Sequence, residues 1–269
     1  MQAPSSGSGV QLRIMTYNVH SCRGRGGRPD PLRIADVIAS AEPDIIALQE
    51  LDVGRMRTGG IDQAHMIAQH LRVASHFHPA LHVEEEKYGD AILTALPSQL
   101  IKASQLPSLG EPRGAIWVEV LLGTLRIQVV NTHFGLRRRE RMAQAHAIAG
   151  ADWLGSAACS GNPALLAGDF NAIPRSRAYG ILAEGLSKQV LTIPARATFP
   201  ARFPLLRLDH IFANHHARIL RYDVIDTPLA RSASDHLPLL ATVECLPPSP
   251  PPDAGSRHAE QAEELIPHA

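Results

Sequence analysis

The apolar positions of this chain change period along its length. Runs with strand character at Leu12–Val19 and Ile45–Leu48 are each followed by a segment with helix signals. Asp30-Pro31 supplies a capping side chain and a proline at the first helical position, which predicts a helix that ends before Glu42-Pro43. Asp62 predicts a second cap, its helix running to about Leu71. Ala91–Leu96, Ala115–Leu121 and Leu125–Asn131 are short aliphatic or β-branched runs punctuated by Pro97, Gly114 and Gly123, as strands are. The last two of these read as a hairpin about Gly123-Thr124. A third helix is expected over Arg139–Leu154, with Met142, Ile148 and Trp153 among its apolar positions. Strands are then expected at Ala164–Ala167, Leu208–Phe212, Arg218–Val224 and Pro238–Val243. The alternation predicts an α/β fold.

A chain of 269 residues, 45% of them hydrophobic, can bury the core of one large domain, expected here over 11–246. Residues 1–10 are read as a disordered N-terminus, and 247–269 as a disordered proline-rich tail with too few apolar residues to order itself. No stretch has the length and apolarity of a signal peptide or a transmembrane segment, so a soluble, cytoplasmic protein is expected, and a monomer. Cys22, Cys159 and Cys245 lie far apart without CxxC spacing, which predicts buried thiols rather than disulfides or a zinc site. Lys+Arg and Asp+Glu are both 26, so the basic excess that accompanies non-specific nucleic-acid binding is missing. Only 6 Phe, 4 Tyr and 2 Trp are available to line a groove for stacked bases.

Candidate chemistry follows the strands. Polar residues suited to a hard cation or a phosphate recur at the carboxyl ends of apolar runs: Asn18, Glu50, Asn131 with His133, Asp169 with Asn171, and Asp209. Asp235-His236 stands just before the last run. Open α/β sheets place their ligands beyond those strand ends, so residues far apart in sequence can converge there. Each alone reads more simply as a helix cap, a solvated turn or a structural histidine; the repetition is what carries weight.

Thr16-Tyr17-Asn18-Val19, Leu48-Gln49-Glu50, Tyr88 to Leu93, Asn131-Thr132-His133, Gly168-Asp169-Phe170-Asn171, Leu208 to Phe212 and Ser234 to Leu239 follow in one order from Ile14 to Val243. That order resembles the endonuclease/exonuclease/phosphatase superfamily of deoxyribonuclease I, neutral sphingomyelinases and inositol-polyphosphate 5-phosphatases. The spacing, including Arg57 to Gln63, looks most like small single-domain bacterial members, related to the hydrolase-like domain of a GPI-anchor remodelling protein. The resemblance implies a four-layer α/β/β/α sandwich with two mixed β-sheets. It also implies a metal site at Glu50, with Asn18 beside it and Asp235 approaching the same ion, an oxygen-rich set that favours Mg²⁺ or Mn²⁺. Within it His236 is the histidine at the scissile phosphate and Asp209 the carboxylate that orients it. Asp169 and Asn171 position the attacking water; Asn131 and His133 form the opposite side, where His133 would stabilise charge or protonate the leaving oxygen. Whether Asp169 or a histidine is the general base stays open.

Asp90 either pairs with His133 and raises its pKa or accepts backbone hydrogen bonds. Arg57 and Arg113 lie in loop motifs suited to phosphate or substrate contact, whereas Arg137, Arg138, Arg139 and Arg141 read as a solvated helix start. The expected function is divalent-metal-dependent hydrolysis of a phosphodiester or phosphomonoester by in-line attack of an activated water. The substrate would be a lipid head group, a small phosphodiester or nucleic acid. An endonuclease/exonuclease, and a binding protein that keeps the fold without catalysis, are the alternatives; a zinc hydrolase suggested by 14 histidines lacks an HExxH motif.

Overall fold

The computed structural model describes residues 9–186 and 195–246, so the expected tail and nearly all of the expected N-terminal segment lie outside the described residues. The strands are β1 (Val10–Asn18), β2 (Ile45–Val53), β3 (Ala74–Val83), β4 (Glu86–Thr94), β5 (Ser98–Leu106), β6 (Arg113–Leu122), β7 (Leu125–His133), β8 (Ala164–Asp169), β9 (Asp209–Ala213), β10 (Ala217–Val224) and β11 (Leu239–Cys245). The helices are α1 (Pro31–Ala39), α2 (Gln63–Leu71), α3 (Arg138–Ala149), α4 (Ala157–Gly161), α5 (Arg177–Gly185) and α6 (Pro228–Ala233).

The strands form two mixed sheets, ordered β10-β11-β1-β2-β4-β3 and β5-β6-β7-β8-β9. Each sheet has one parallel pair, β1–β2 and β7–β8, and is otherwise antiparallel. The pairs are the places where a helical crossover, α1 or α3, returns the chain to its starting edge. Alternation along β1 and β2 divides their side chains between two layers: Ile14, Ile45 and Ala47 face the second sheet, while Met15, Tyr17, Ile46 and Leu48 pack against α1 and α2. With α3 and α5 on the outer face of the second sheet, the result is the four-layer sandwich.

Local signals placed α1 and α2 well, since Asp30 and Asp62 cap them by accepting from the Arg33 and His65 amides. The third helix is shorter than expected: α3 stops at Ala149, Gly150 is extended, and Trp153 is buried from a following turn. Gly123 has φ +65° in the tight connection of the expected β6–β7 hairpin. β3 and β5 were not singled out by pattern; both are edge strands whose two faces stay largely exposed. Cys22, Cys159 and Cys245 are buried free thiols. No helix among the described residues is long and apolar enough to cross a membrane.

Asn131 ties the sheets together. Its amide donates to the carbonyls of Leu48 (2.9 Å) and Ala91 (2.8 Å), and its oxygen accepts from Gln49 Nε2 at 2.7 Å. Fully buried with both ends engaged, it does not reach the cavity, so the expected substrate contact at this residue is not what the structure shows.

Candidate active site

The carboxyl ends of both parallel pairs open on one cavity of about 470 Å³. Strand register builds its floor: His133 on β7 stands opposite Asp169 on β8, which stands opposite Asp209 on β9. This row needs Gly168, whose φ is +156° and where a Cβ would come within 2.0 Å of the Thr132 carbonyl oxygen. On the facing sheet, the β2–β4 register slips between Leu48 and Leu51, and Glu50 takes a left-handed φ of +63° in that bulge. An extra residue in a strand re-aims the side chain, here bringing the Glu50 carboxylate into the cavity lining. Asn18 Nδ2 joins the sheets at this edge, donating to Glu50 Oε1 (2.9 Å) and Asp169 Oδ2 (3.0 Å).

Two histidines flank Asp169. His236 Nδ1–H donates to Asp209 Oδ2 at 2.9 Å, and its Nε2 lies 3.6 Å from Asp169 Oδ2. The Thr198 hydroxyl donates to the same Asp209 oxygen at 2.5 Å, and Phe199 packs against the His236 ring with centroids 4.7 Å apart. Both neighbours arrive because the 198–201 segment bonds along the 235–237 segment, through Leu237 N to Thr198 O and Ala201 N to Asp235 O. Burial opposes a charged imidazole, but Asp209 and Asp169 outweigh it and hold His236 up to about 10. Burial also raises Asp169 to about 7, with the His236 charge opposing the shift and Asp209 adding to it.

His133 is the opposite case. Its Nε2 lies 3.5 Å from Asp169 and 3.9 Å from Glu50, while Arg113 Nη1 approaches Nδ1 at 3.3 Å. A guanidinium and an amide nitrogen both only donate, so a neutral His133 accepts from Arg113 at Nδ1 or from Asn171 Nδ2 at Nε2 (3.1 Å), not from both. Burial, then the Arg113 charge, pushes His133 down to about 3. Asp90 does not pair with it: Asp90 is buried beside Arg113 and off the cavity wall, and burial raises it to about 8. Of the two readings of Asp90, the pairing that would raise the His133 pKa is not the one seen: burial first, and then the Arg113 cation, lowers it.

Glu50, Arg57, Arg113, His133, Asp169, Asn171 and His236 all line the cavity. Asn171 Nδ2 donates to the Phe134 carbonyl and lies 3.1 Å from His133 Nε2. Arg57 is held by a fork onto Asp52 (2.7 and 2.8 Å). Arg137, Arg138 and Arg139 are exposed at the start of α3. Asn18 and Asp209 stand behind the lining, and Asp235 borders an adjoining cavity.

Two neighbours were not picked out from sequence. Thr198 carries no local signal, lying 11 positions from Asp209. His20, two residues past Asn18, has φ +48° and places Nδ1 3.6 Å from both Glu50 Oε2 and Asp235 Oδ2. The neighbouring Glu50 carboxylate raises the His20 pKa. Burial pushes Glu50 up, but His20 and the bond from Asn18 outweigh it and hold the carboxyl well below the usual range. Ionised oxygen donors around one edge of the cavity suit a hard divalent cation. A second donor group, Asp169, Asp209 and His236, has ligand atoms within 4.8 Å of one another.

Two mixed sheets with helices outside them, gathering acidic residues and histidines at their shared edge, define an α/β sandwich of the deoxyribonuclease I type. The sequence profile of the Endonuclease/Exonuclease/phosphatase family matches residues 15–236, and the chain belongs to that family. It is 26% identical over 262 residues to the uncharacterized protein YbhP of Escherichia coli (strain K12), covering 89% of this chain and 99% of that protein. Its fold matches an endonuclease/exonuclease/phosphatase from Beutenbergia cavernae DSM 12333 with TM-score 0.71 at 21% identity, over 87% of this chain and 72% of that one. A mannosyl-6-phosphatase of Bacteroides thetaiotaomicron VPI-5482 matches with TM-score 0.68 at 20% identity, over 86% and 99% of the two chains. Members of the family are generally phosphoester hydrolases and generally use divalent metals.

Proposed function

We propose that this chain is a divalent-metal-dependent phosphoesterase that hydrolyses a phosphate ester by in-line attack of water. The observation that carries the reading is the His236–Asp209 pair, 2.9 Å apart and facing Asp169 on the floor of an arginine-lined cavity. Glu50 is the principal ligand for Mg²⁺ or Mn²⁺, with Asn18 and Asp235 beside it. Such an ion supplies positive charge to a phosphoryl oxygen when bound.

The chain's own groups divide the remaining work. His236, kept protonated by Asp209, offers Nε2–H to an oxygen of the scissile phosphate. Asp169, raised to about 7, is the favoured acceptor of the proton released as the water oxygen bonds to phosphorus, and Asn171 positions that water. As the bond to the leaving oxygen breaks, neutral His133, in the tautomer that accepts from Arg113 at Nδ1, donates a hydrogen bond from Nε2. At about 3 its pKa is too low for a general acid at neutral pH. Arg57 and Arg113 bind phosphate oxygens. Asp90 acts through Arg113, which it faces from behind.

The test is turnover of a bis-aryl phosphodiester and an aryl monoester by the purified protein with Mg²⁺ or Mn²⁺; the monoester also probes the chemistry named in the mannosyl-6-phosphatase relative. Glu50→Gln keeps the side chain's shape but removes its charge, and is expected to lose most activity while retaining the fold. Turnover that survives exhaustive chelation would overturn the metal-dependent reading.

A further inference from the structure

The five most exposed large hydrophobic side chains among the described residues are Met56 79%, Leu205 79%, Leu136 72%, Phe203 65% and Leu109 62%. All five lie within four residues of a position that lines the cavity. Leu136 lines the cavity itself, Met56 precedes the lining residue Arg57, and Leu109 lies two residues before Glu111. Phe203 and Leu205 project from the loop whose base is Phe199, to which Leu205 N is bonded at 2.9 Å.

Cations are interleaved with these tips. Arg138 and Arg139 follow Leu136 and are exposed, and exposed Arg202 lies against the Phe203 ring at 5.4 Å. None of these three forms an ion pair among the described residues, whereas Glu111 on the same rim is already paired with Arg113 at 2.6 Å. The tips stand on four separate segments rather than along one continuous apolar face.

We infer that this rim docks on a membrane surface bearing anionic lipid headgroups, with the apolar tips entering the headgroup boundary and the arginines meeting lipid phosphates. Single apolar side chains beside unpaired cations are the composition of interfacial segments. Apolar tips of this kind serve there as shallow anchors. Docking in this pose aims the cavity at the bilayer, so that a lipid phosphoester is the substrate it meets first. That last step rests on the phosphoesterase reading; the docking does not.

The experiment is co-sedimentation of the full chain with vesicles of phosphatidylcholine alone or with phosphatidylglycerol, alongside turnover of a soluble bis-aryl phosphodiester. Binding is expected to the anionic vesicles and to weaken with salt. Met56→Ser with Phe203→Ser and Leu205→Ser should lower it about tenfold or more. Arg138→Gln, Arg139→Gln and Arg202→Gln should each lower it roughly fivefold. All these variants should keep wild-type turnover of the soluble ester, since none touches the reacting groups. No vesicle binding with turnover intact overturns the docking and leaves the phosphoesterase reading. Vesicle binding without turnover does the reverse. Binding that ignores the rim substitutions, or a dimer in gel filtration that the serine variant dissolves, also overturns the inference; the second result assigns the rim to another copy of the chain.

Discussion

His133 and His236 stand on either side of Asp169, 3.5 Å and 3.6 Å from its Oδ2, and both are buried. One is driven down to about 3 and the other up to about 10. Burial opposes the cation at both, so it cannot be what separates them. The second ring nitrogen is the difference: Nδ1 of His133 meets the Arg113 guanidinium, and Nδ1 of His236 meets the Asp209 carboxylate. Two copies of one side chain thus become a neutral imidazole and a held cation around one carboxylate. Environments that push the pKa values of like groups apart are how a site assigns separate roles to them.

The largest expected effect breaks the His236 side. His236→Ala should slow the chemical step about a hundredfold or more in single-turnover kinetics, and Asp209→Asn should cost much of that. The double variant should be little worse than His236→Ala alone, because groups that act as a unit are non-additive. Losses that multiply cleanly would reduce Asp209 to a strand-end carboxylate. Because His236 is held up to about 10, the ionisation nearest neutrality belongs to Asp169 rather than to the histidine.

Arg113→Met sharpens the other side. Removing the guanidinium should let the His133 pKa climb toward its ordinary range in an imidazole NMR titration, with turnover falling about tenfold, or ~1.4 kcal/mol. A pKa that stays near 3 would mean that burial alone holds it down. Asn131, two residues before His133 on the same strand face, tests how separate the structural and chemical ends of β7 are. Asn131→Ala leaves the Leu48 and Ala91 carbonyls without their donor and should cost roughly 2–3 kcal/mol in denaturant unfolding.

A third buried histidine bears on stability rather than turnover. Burial, then Arg207, lowers His210 to about 3, and its Nε2 lies 2.7 Å from the Ala172 carbonyl oxygen. A folded pKa below the unfolded value means that its contribution is present above an unfolded pKa of about 6.5 and is lost as pH falls toward the folded value. Stability should therefore fall by about 1 kcal/mol per pH unit between roughly pH 6 and pH 4 through this group. His210→Phe should flatten that limb of the melting curve. An unchanged acid slope would show that His210 is not its source.

Much of this was readable along the chain, for identifiable reasons. Asp30 and Asp62 announced their helices because a cap acts on amides three residues away. Glu50, Asp169, Asp209 and His236 were visible as polar residues at the ends of apolar runs, or just before one. Asn131 and Asp90 shared that layout, yet one is consumed between the sheets and the other lies behind Arg113. β3 and β5 escaped notice because an edge strand buries little and loses its alternation. Thr198 and Phe199 belong to the site only through pairing with the 235–237 segment, which no local pattern encodes.

By itself, then, the sequence determined most of the elements, the family and the chemical types gathered at the strand ends, since capping, periodicity and side-chain identity are local properties. Protonation and aim were decided only in three dimensions. The bulge that re-aims Glu50 exists in the register of β2 on β4, and the opposite states of the two histidines come from Arg113 on β6 and Asp209 on β9. A pKa depends on the charges and the loss of water around a group, and both are set by whichever strands fold against it.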